Sequence, residues 1–181
     1  LLGYAEQINN KIYQRVHPTL IKKSSYIASI DGVLNAVIID GKPLGQSVIQ
    51  GEGAGPTATT SALVSDISSI LRGNIKFPFS ISDRERKQLN YIKIDERFFS
   101  AYLRLDVLDK PGILSNITNI FSKNKVSIKR IIQTPNKSKK LSSIIIITHL
   151  SKDKLLNKVV NQIQRKSYMI KKPKLIRIES I

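Results

Sequence analysis

The sequence predicts an α+β protein of two unlike parts: a mixed or antiparallel sheet-plus-helix region, followed by a smaller β-α-β-β-α-β unit. Three observations carry this reading. A glycine-rich turn, Gly51-Glu52-Gly53-Ala54-Gly55-Pro56-Thr57, separates a strand pattern from a helix pattern. A second turn, Asp109-Lys110-Pro111-Gly112, does the same further on. After residue 99 the apolar period switches between two and 3.6 residues in two successive halves. The expected organisation is a first domain over 1–73, a linker over 74–98 and a second domain over 99–181.

In chain order, Leu1 to Ala5 reads as the end of an element. Lys11 to His17 alternates apolar and polar residues as a strand, ended by Pro18. Asp31-Gly32 and Asp40-Gly41 are turn dipeptides flanking Val33 to Ile39. The expectation is an antiparallel meander with short strand Ile27–Ile30, then strands over 33–40 and 43–50. Beyond the glycine-rich turn, Leu63, Val64, Ile67, Ile70 and Leu71 recur at helical spacing, and Gly73 is placed to stop the helix. Thr57, Thr59 and Thr60 offer hydroxyls to the unpaired N–H groups of its first turn.

Alternating glycines allow positive φ and close approach of main chain to a ligand, and a helix N-terminus favours an anion. The spacing is not that of the dinucleotide fingerprint. On spacing alone, a ligand-binding turn and a plain tight turn stand level.

Arg72 to Phe99 reads as a connector, interrupted by Pro78, Ser80, Ser82 and the charged run 83–87, with Phe77, Phe79, Phe98 and Phe99 packing it onto its neighbours. The second domain then begins with a strand over Tyr102–Leu108. Its first helix carries Ile113, Leu114, Ile117, Ile120 and Phe121 on one face. Lys125–Gln133 is the second strand, Thr134–Lys140 a polar loop and Ser142–Leu150 the third strand. Ser151 is positioned to cap a helix whose apolar set is Leu155, Leu156, Val159, Val160 and Ile163. Leu175–Ile178 closes as a fourth strand, which makes the order ferredoxin-like.

Composition removes several function classes. The 181 residues include no cysteine, so disulfides, thiolate metal sites and a cysteine nucleophile are excluded. His17 and His149 lack metal-ligand spacing, and no metal is expected. The longest apolar run, Ile144–Ile147, is far below the roughly 20 residues of a membrane span. No signal-peptide pattern opens the chain, and a cytoplasmic protein without membrane partners is expected. The chain does not begin with Met, so a piece of a longer protein is expected.

Net charge is +17, and residues 99–181 hold 18 Lys/Arg against 4 Asp/Glu. That raises nucleic acid as a partner. Scattered lysines, few interleaved aromatics and no binding motif weigh against it, in favour of a solvated basic surface. His17 titrates in the range useful for catalysis, but no nearby carboxylate in sequence orients it, so a structural role is expected.

Four stretches in order resemble one family. They are Arg15-Val16-His17-Pro18-Thr19-Leu20-Ile21, Gly32-Val33-Leu34-Asn35-Ala36-Val37, the glycine-rich turn, and Ser61-Ala62-Leu63-Val64-Ser65-Asp66-Ile67. Together they are similar to the later part of the substrate-binding and dimerisation region of homoserine dehydrogenase. The resemblance implies an NADP or NAD cofactor contacted by the main chain of Gly53, Ala54 and Gly55. The family's Pro-Thr-Ala falls on Ala58-Thr59-Thr60, whereas the proline here is Pro56, so which threonine caps the helix stays open.

The second domain resembles the ACT domain through Asp109-Lys110-Pro111-Gly112-Ile113-Leu114. That family binds an amino-acid effector at this bend, which implies effector contacts from Asp109, Gly112 and Ile113. Physically, Gly112 frees helix N-terminal N–H groups for a carboxylate, while Asp109 either caps locally or meets an ammonium.

The joint resemblance implies NAD(P)-dependent interconversion of aspartate 4-semialdehyde and homoserine, on the route to threonine, methionine and isoleucine. It also implies feedback by threonine and a homo-oligomer, dimer or tetramer. The family's Rossmann domain and catalytic lysine precede the matched part, so no catalytic residue is expected here and the fragment alone is expected to be inactive. The alternative is a stand-alone, non-catalytic amino-acid-binding module for regulation or dimerisation.

Overall fold

The computed structural model describes residues 1–74, 82–136 and 140–181; the expected packing of Phe77 and Phe79 and residues 137–139 of the expected loop Thr134–Lys140 lie outside the described residues. Thr134–Asn136, expected in that loop, instead extend a strand by pairing with Ser143, Ser142 and Leu141. The first half runs β1 (Leu2–Ile8), β2 (Lys11–His17), β3 (Thr19–Leu20), β4 (Leu34–Gly41), β5 (Gly45–Glu52), α1 (Pro56–Leu71) and β6 (Asn90–Tyr91). The second half runs β7 (Phe98–Leu108), α2 (Ile113–Lys123), β8 (Ile128–Asn136), β9 (Leu141–Thr148), β10 (Ser151–Lys152), α3 (Asp153–Gln164) and β11 (Lys174–Ile178). The chain divides into a larger unit, Leu1–Ile21 with Leu89–Ile181, and a smaller one, Lys22–Gln88.

The larger unit is α+β, as predicted. Its sheet is ordered β3-β11-β7-β9-β8. The last four strands are all antiparallel neighbours, which is the ferredoxin-like arrangement. Alternate residues of β7 (Phe99, Ala101, Leu103, Leu105, Val107) and of β9 (Ile144, Ile146) turn to one face and are buried. Ile113, Ile117, Ile120 and Phe121 of α2 and Leu156, Val159 and Ile163 of α3 complete that core. These are the stripes that helical periodicity marked.

The N-terminal strands belong to this unit too. β1 and β2 form a hairpin whose turn, Asn9-Asn10, has φ of 45° and 60°. Two left-handed residues in succession fit a turn matched to strand twist, and Asn tolerates them. β3 adds in parallel to β11, with Thr19 opposite Arg177. The Thr19 hydroxyl donates to the Arg177 carbonyl at 2.9 Å, and the Glu179 N–H donates to the Leu20 carbonyl at 3.0 Å.

In the smaller unit, β4 and β5 pair antiparallel from Leu34↔Glu52 to Gly41↔Gly45. α1 follows. It closes through a Schellman pattern, in which Asn74 N–H reaches the Ser69 carbonyl, Gly73 N–H the Ile70 carbonyl, and Gly73 has φ +74°. None of the described apolar residues of this unit is buried.

Four expectations are corrected. Ile27–Ile30 is not a strand: Tyr26–Ser29 is a 3-10 turn, closed by the Ser29 hydroxyl donating to the Tyr26 carbonyl at 2.8 Å. No threonine caps α1. Gly55 is its N-cap and Pro56 its first residue, where a missing N–H costs nothing; Thr59 instead donates to the Gly55 carbonyl. Ser151 does not cap α3, since it pairs with Phe99 in β10 and Lys152 takes the cap position. The strand expected from Lys125 begins at Ile128, because Lys125 (φ 56°) and Val126 bond back to Ser122 and Phe121 and end α2.

Leu105 has 0% exposure and Ile67 has 56%. Leu105→Ala is therefore expected to cost about 2–5 kcal/mol, and Ile67→Ala to stay within about 0.5 kcal/mol. Equal losses in denaturant unfolding would mean the core does not lie where described.

Candidate functional site

The structure brings the predicted residues together in two separate bends, one in each unit. In the smaller unit, Gly53, Ala54 and Gly55 link β5 to α1 and all are exposed. Gly51 stays in β5 opposite Asn35. Of these three glycines only Gly55 adopts positive φ, at +117°. A Cβ there would meet nothing within 4 Å, so its main chain is open on that side.

Gly53 is needed for a different reason. Its N–H donates to the Val33 carbonyl at 2.9 Å, and a Cβ on it would lie 1.4 Å from Asn35 Nδ2. The absent side chain at Gly53 makes room for Asn35, and only the stretch at Ala54–Gly55 faces outward unobstructed. With no side-chain cap on α1, a flat group with negative charge could approach that main chain without displacing a protein side chain.

In the larger unit, the bend between β7 and α2 has more definition. Gly112 is the N-cap of α2 in the left-handed region, φ 84° and ψ −15°, and no side chain caps the helix. Asp109 therefore does not act as a local cap. It is exposed, while its N–H is held by the Lys140 carbonyl at 2.9 Å. Asp109, Gly112 and Ile113 line one pocket of about 400 Å³, with Lys110, Gln133 and Ile144 among the other walls. A carboxylate, an ammonium, uncapped helix N–H groups and apolar walls in such a volume suit a small zwitterion.

Sequence reasoning missed a buried polar cluster in the same unit. His17 is buried, with Nδ1 3.1 Å from the Pro18 carbonyl and Nε2 3.6 Å from Glu179 Oε1. Burial, then the neighbouring arginines 15, 177 and 97, lower its pKa against the opposing pull of the Pro18 carbonyl. Burial raises that of Glu179, against the pull of Arg97. Arg97 pairs with Glu6 and lies over the Tyr13 ring at 4.2 Å and the Tyr4 ring at 4.7 Å. Arg177 pairs with buried Asp153 at 2.7 Å. The one signal in sequence was His17 itself; its partner lies 162 positions away. His149 is exposed after β9, its N–H held by the Ser127 carbonyl.

Among the described residues, no cluster of three or more His, Asp or Glu is placed to hold a metal ion, and no helix is long and apolar enough to cross a membrane.

Residues 1–68 match the family model described as homoserine dehydrogenase, and residues 101–167 match that of the ACT domain. The chain is 32% identical to a homoserine dehydrogenase of Neisseria gonorrhoeae, over 100% of this chain and 43% of that protein. It is 29% identical to one of Helicobacter pylori, over 99% and 42% respectively. A crystal structure of a homoserine dehydrogenase from Thiobacillus denitrificans superposes with a TM-score of 0.84 at 30% identity, covering 98% of this chain and 41% of that one. The chain thus spans about two fifths of the length of the curated relatives it matches.

The contact at Gly53 is open to direct test. Gly53→Ala is expected to push the exposed Asn35 side chain off its rotamer at a cost of about 0.5–1.5 kcal/mol, and Asn35→Ala in the same chain to remove most of that cost. A Gly53→Ala chain as stable as wild type would show that Asn35 does not occupy that space.

Proposed function

We propose, on the premise that this chain corresponds to the C-terminal portion of a homoserine dehydrogenase, that it provides the cofactor-facing turn and the effector-binding domain of that enzyme. The reaction would be NAD(P)-dependent interconversion of aspartate 4-semialdehyde and homoserine, which feeds threonine, methionine and isoleucine synthesis. The nicotinamide cofactor supplies or accepts the hydride. Gly53, Ala54 and Gly55 contribute main chain to its binding: Ala54 and Gly55 by their open face, Gly53 by holding the turn against Asn35. No residue of this chain is assigned a catalytic proton transfer. The enzyme works as a homo-oligomer, dimer or tetramer.

The observation that carries the regulatory half is the pocket at Asp109, Gly112 and Ile113. An amino acid placed there would set its carboxylate on the first N–H groups of α2 and its ammonium against Asp109. The side chain would lie against Ile113 and Ile144. Threonine, the product several steps on, suits the mixture: a methyl for the apolar wall, a hydroxyl for Gln133. Regulation then requires only that threonine bind two arrangements of the enzyme unequally.

Threonine is expected to raise the melting temperature of the chain by linkage, as about 2.7 kcal/mol of stabilisation at a hundredfold excess over its Kd. Gly112→Val should abolish the shift. A Cβ at Gly112 meets nothing within 4 Å, so the damage comes from forcing a β-branched residue to φ +84° and not from crowding. Asp109→Asn, on an unstrained exposed residue, should weaken the shift while leaving the unliganded melting temperature in place. A full shift in Asp109→Asn would place the effector elsewhere, and no shift in wild type would remove threonine as the ligand.

A further inference from the structure

His17 and Glu179 take no part in the reading above, yet their geometry is specific. A carbonyl oxygen only accepts, so the 3.1 Å contact with Pro18 fixes the hydrogen of the neutral imidazole on Nδ1. Nε2 is then a bare lone pair. It points at Glu179 Oε1, 3.6 Å away, and neither atom has a hydrogen-bond partner. His17 is 4% exposed and Glu179 5%. Two acceptors face each other out of water, held just beyond hydrogen-bond distance, and the arrangement lacks only a hydrogen between them.

The surroundings limit where that hydrogen can come from. Acting on the pair are Glu6 of β1, Arg15 and Tyr13 of β2, Arg97 ahead of β7 and Arg177 of β11, with Asp153 of α3 behind Arg177. Glu6 is engaged by Arg97 and Asp153 by Arg177, while Arg97 Nη2 lies 3.8 Å from the far oxygen of Glu179. With Glu179 ionised and His17 neutral, the three arginines balance the three carboxylates.

We propose that His17 and Glu179 form a buried one-proton site, and that uptake of a single proton between Nε2 and Oε1 ties the end of β2 to the segment following β11. Acid closes the clasp. The proton arrives from solvent, and Nε2–H···Oε1 forms in place of a contact between lone pairs. Burial and the three arginines lower His17 from its ordinary 6.5 and burial raises Glu179 from 4.5, so the two proton affinities converge and the pair takes its proton as one coupled step.

The linkage has a definite sign. As pH falls through 6.5, the unfolded chain protonates His17 before the folded chain does, and stability falls. Once the pair has taken its proton, folded and unfolded chains each hold one and the fall stops; it resumes below 4.5, where the unfolded chain also protonates Glu179 and the one-proton site takes no second proton.

The test is a pH titration of the 181-residue chain by NMR, from 7.5 to 4.5. His17 is expected as the Nδ1–H tautomer at pH 7.5, and its ring nitrogens and the Glu179 carboxyl carbon should report one shared step. Glu179→Gln places an amide donor opposite Nε2 with no added proton. In that variant His17 should stop titrating within the interval. Exchange of the Glu179 N–H, measured against residue 179 of the variant, should slow about tenfold in wild type across the step. An Nε2–H tautomer at pH 7.5, or a His17 titration unchanged in Glu179→Gln, would overturn the proposal. Where the variant does not fold, the tautomer and the shared step in wild type decide it alone.

Discussion

The larger unit depends on how Arg97 is accommodated. Its guanidinium is only 12% exposed and its Nε has no hydrogen-bond partner, so a charge taken out of water at that depth destabilises the fold unless its remaining donors and faces are matched. Three aromatic faces, Tyr4, Tyr13 and Phe99, lie within 5.5 Å, Glu6 takes an ion pair, and Glu179 approaches from the far side. Burial alone would lower its pKa, but the hydrogen bonds to Tyr4 and Glu6 more than offset that, so it stays charged at any pH the fold survives. These groups come from β1, β2, the start of β7 and the segment after β11. Arg97 therefore fixes the N-terminal hairpin to the ferredoxin-like sheet by chemistry that tolerates little change on either side.

The same junction closes an exposed sheet edge. Without β3, β11 would present an unpaired row of N–H and C=O groups, a template for unwanted strand addition. Thr19 and Leu20 cover it in parallel, and the Glu179 N–H ends the ladder on the Leu20 carbonyl. This two-residue strand was not legible in the sequence. Pro18 marked the end of β2 correctly, but nothing in Thr19-Leu20 announces pairing with a strand more than 150 positions later. Long-range pairing of so short a segment is set by the partner edge, not by local propensity.

Where local chemistry decides, the sequence was readable. The stripes of α2 and α3, the alternation of β7 and β9, and Gly73 as a stop all appear as periodicity or as a positive-φ requirement. The failures share a cause, namely competition between two local solutions. Ser151 could cap a helix or continue a strand, and the free edge beside Phe99 decided for the strand. Thr57, Thr59 and Thr60 could cap α1, but Gly55 followed by Pro56 already sets the entry. The bends behaved likewise. That Gly112 opens the start of α2 is legible. That Gly53 makes room for Asn35 is not, because it depends on the hairpin register.

The two bends, each a strand-to-helix turn, differ in what they can do unaided. At Gly112 the pocket walls come from β7, α2, β8 and β9, strands and helix of one core, so the pocket belongs to a unit that holds its own shape. At Gly55 the main chain is open, and none of the described apolar residues of its own unit is buried behind the hairpin or α1. A turn of that kind can admit a flat cofactor but supplies little to choose among cofactors, since main-chain amides read charge and shape without reading identity. Under the proposed function, discrimination between NAD and NADP rests on side chains other than Gly53, Ala54 and Gly55, whereas discrimination among amino-acid effectors rests on Asp109, Ile113 and Gln133 themselves.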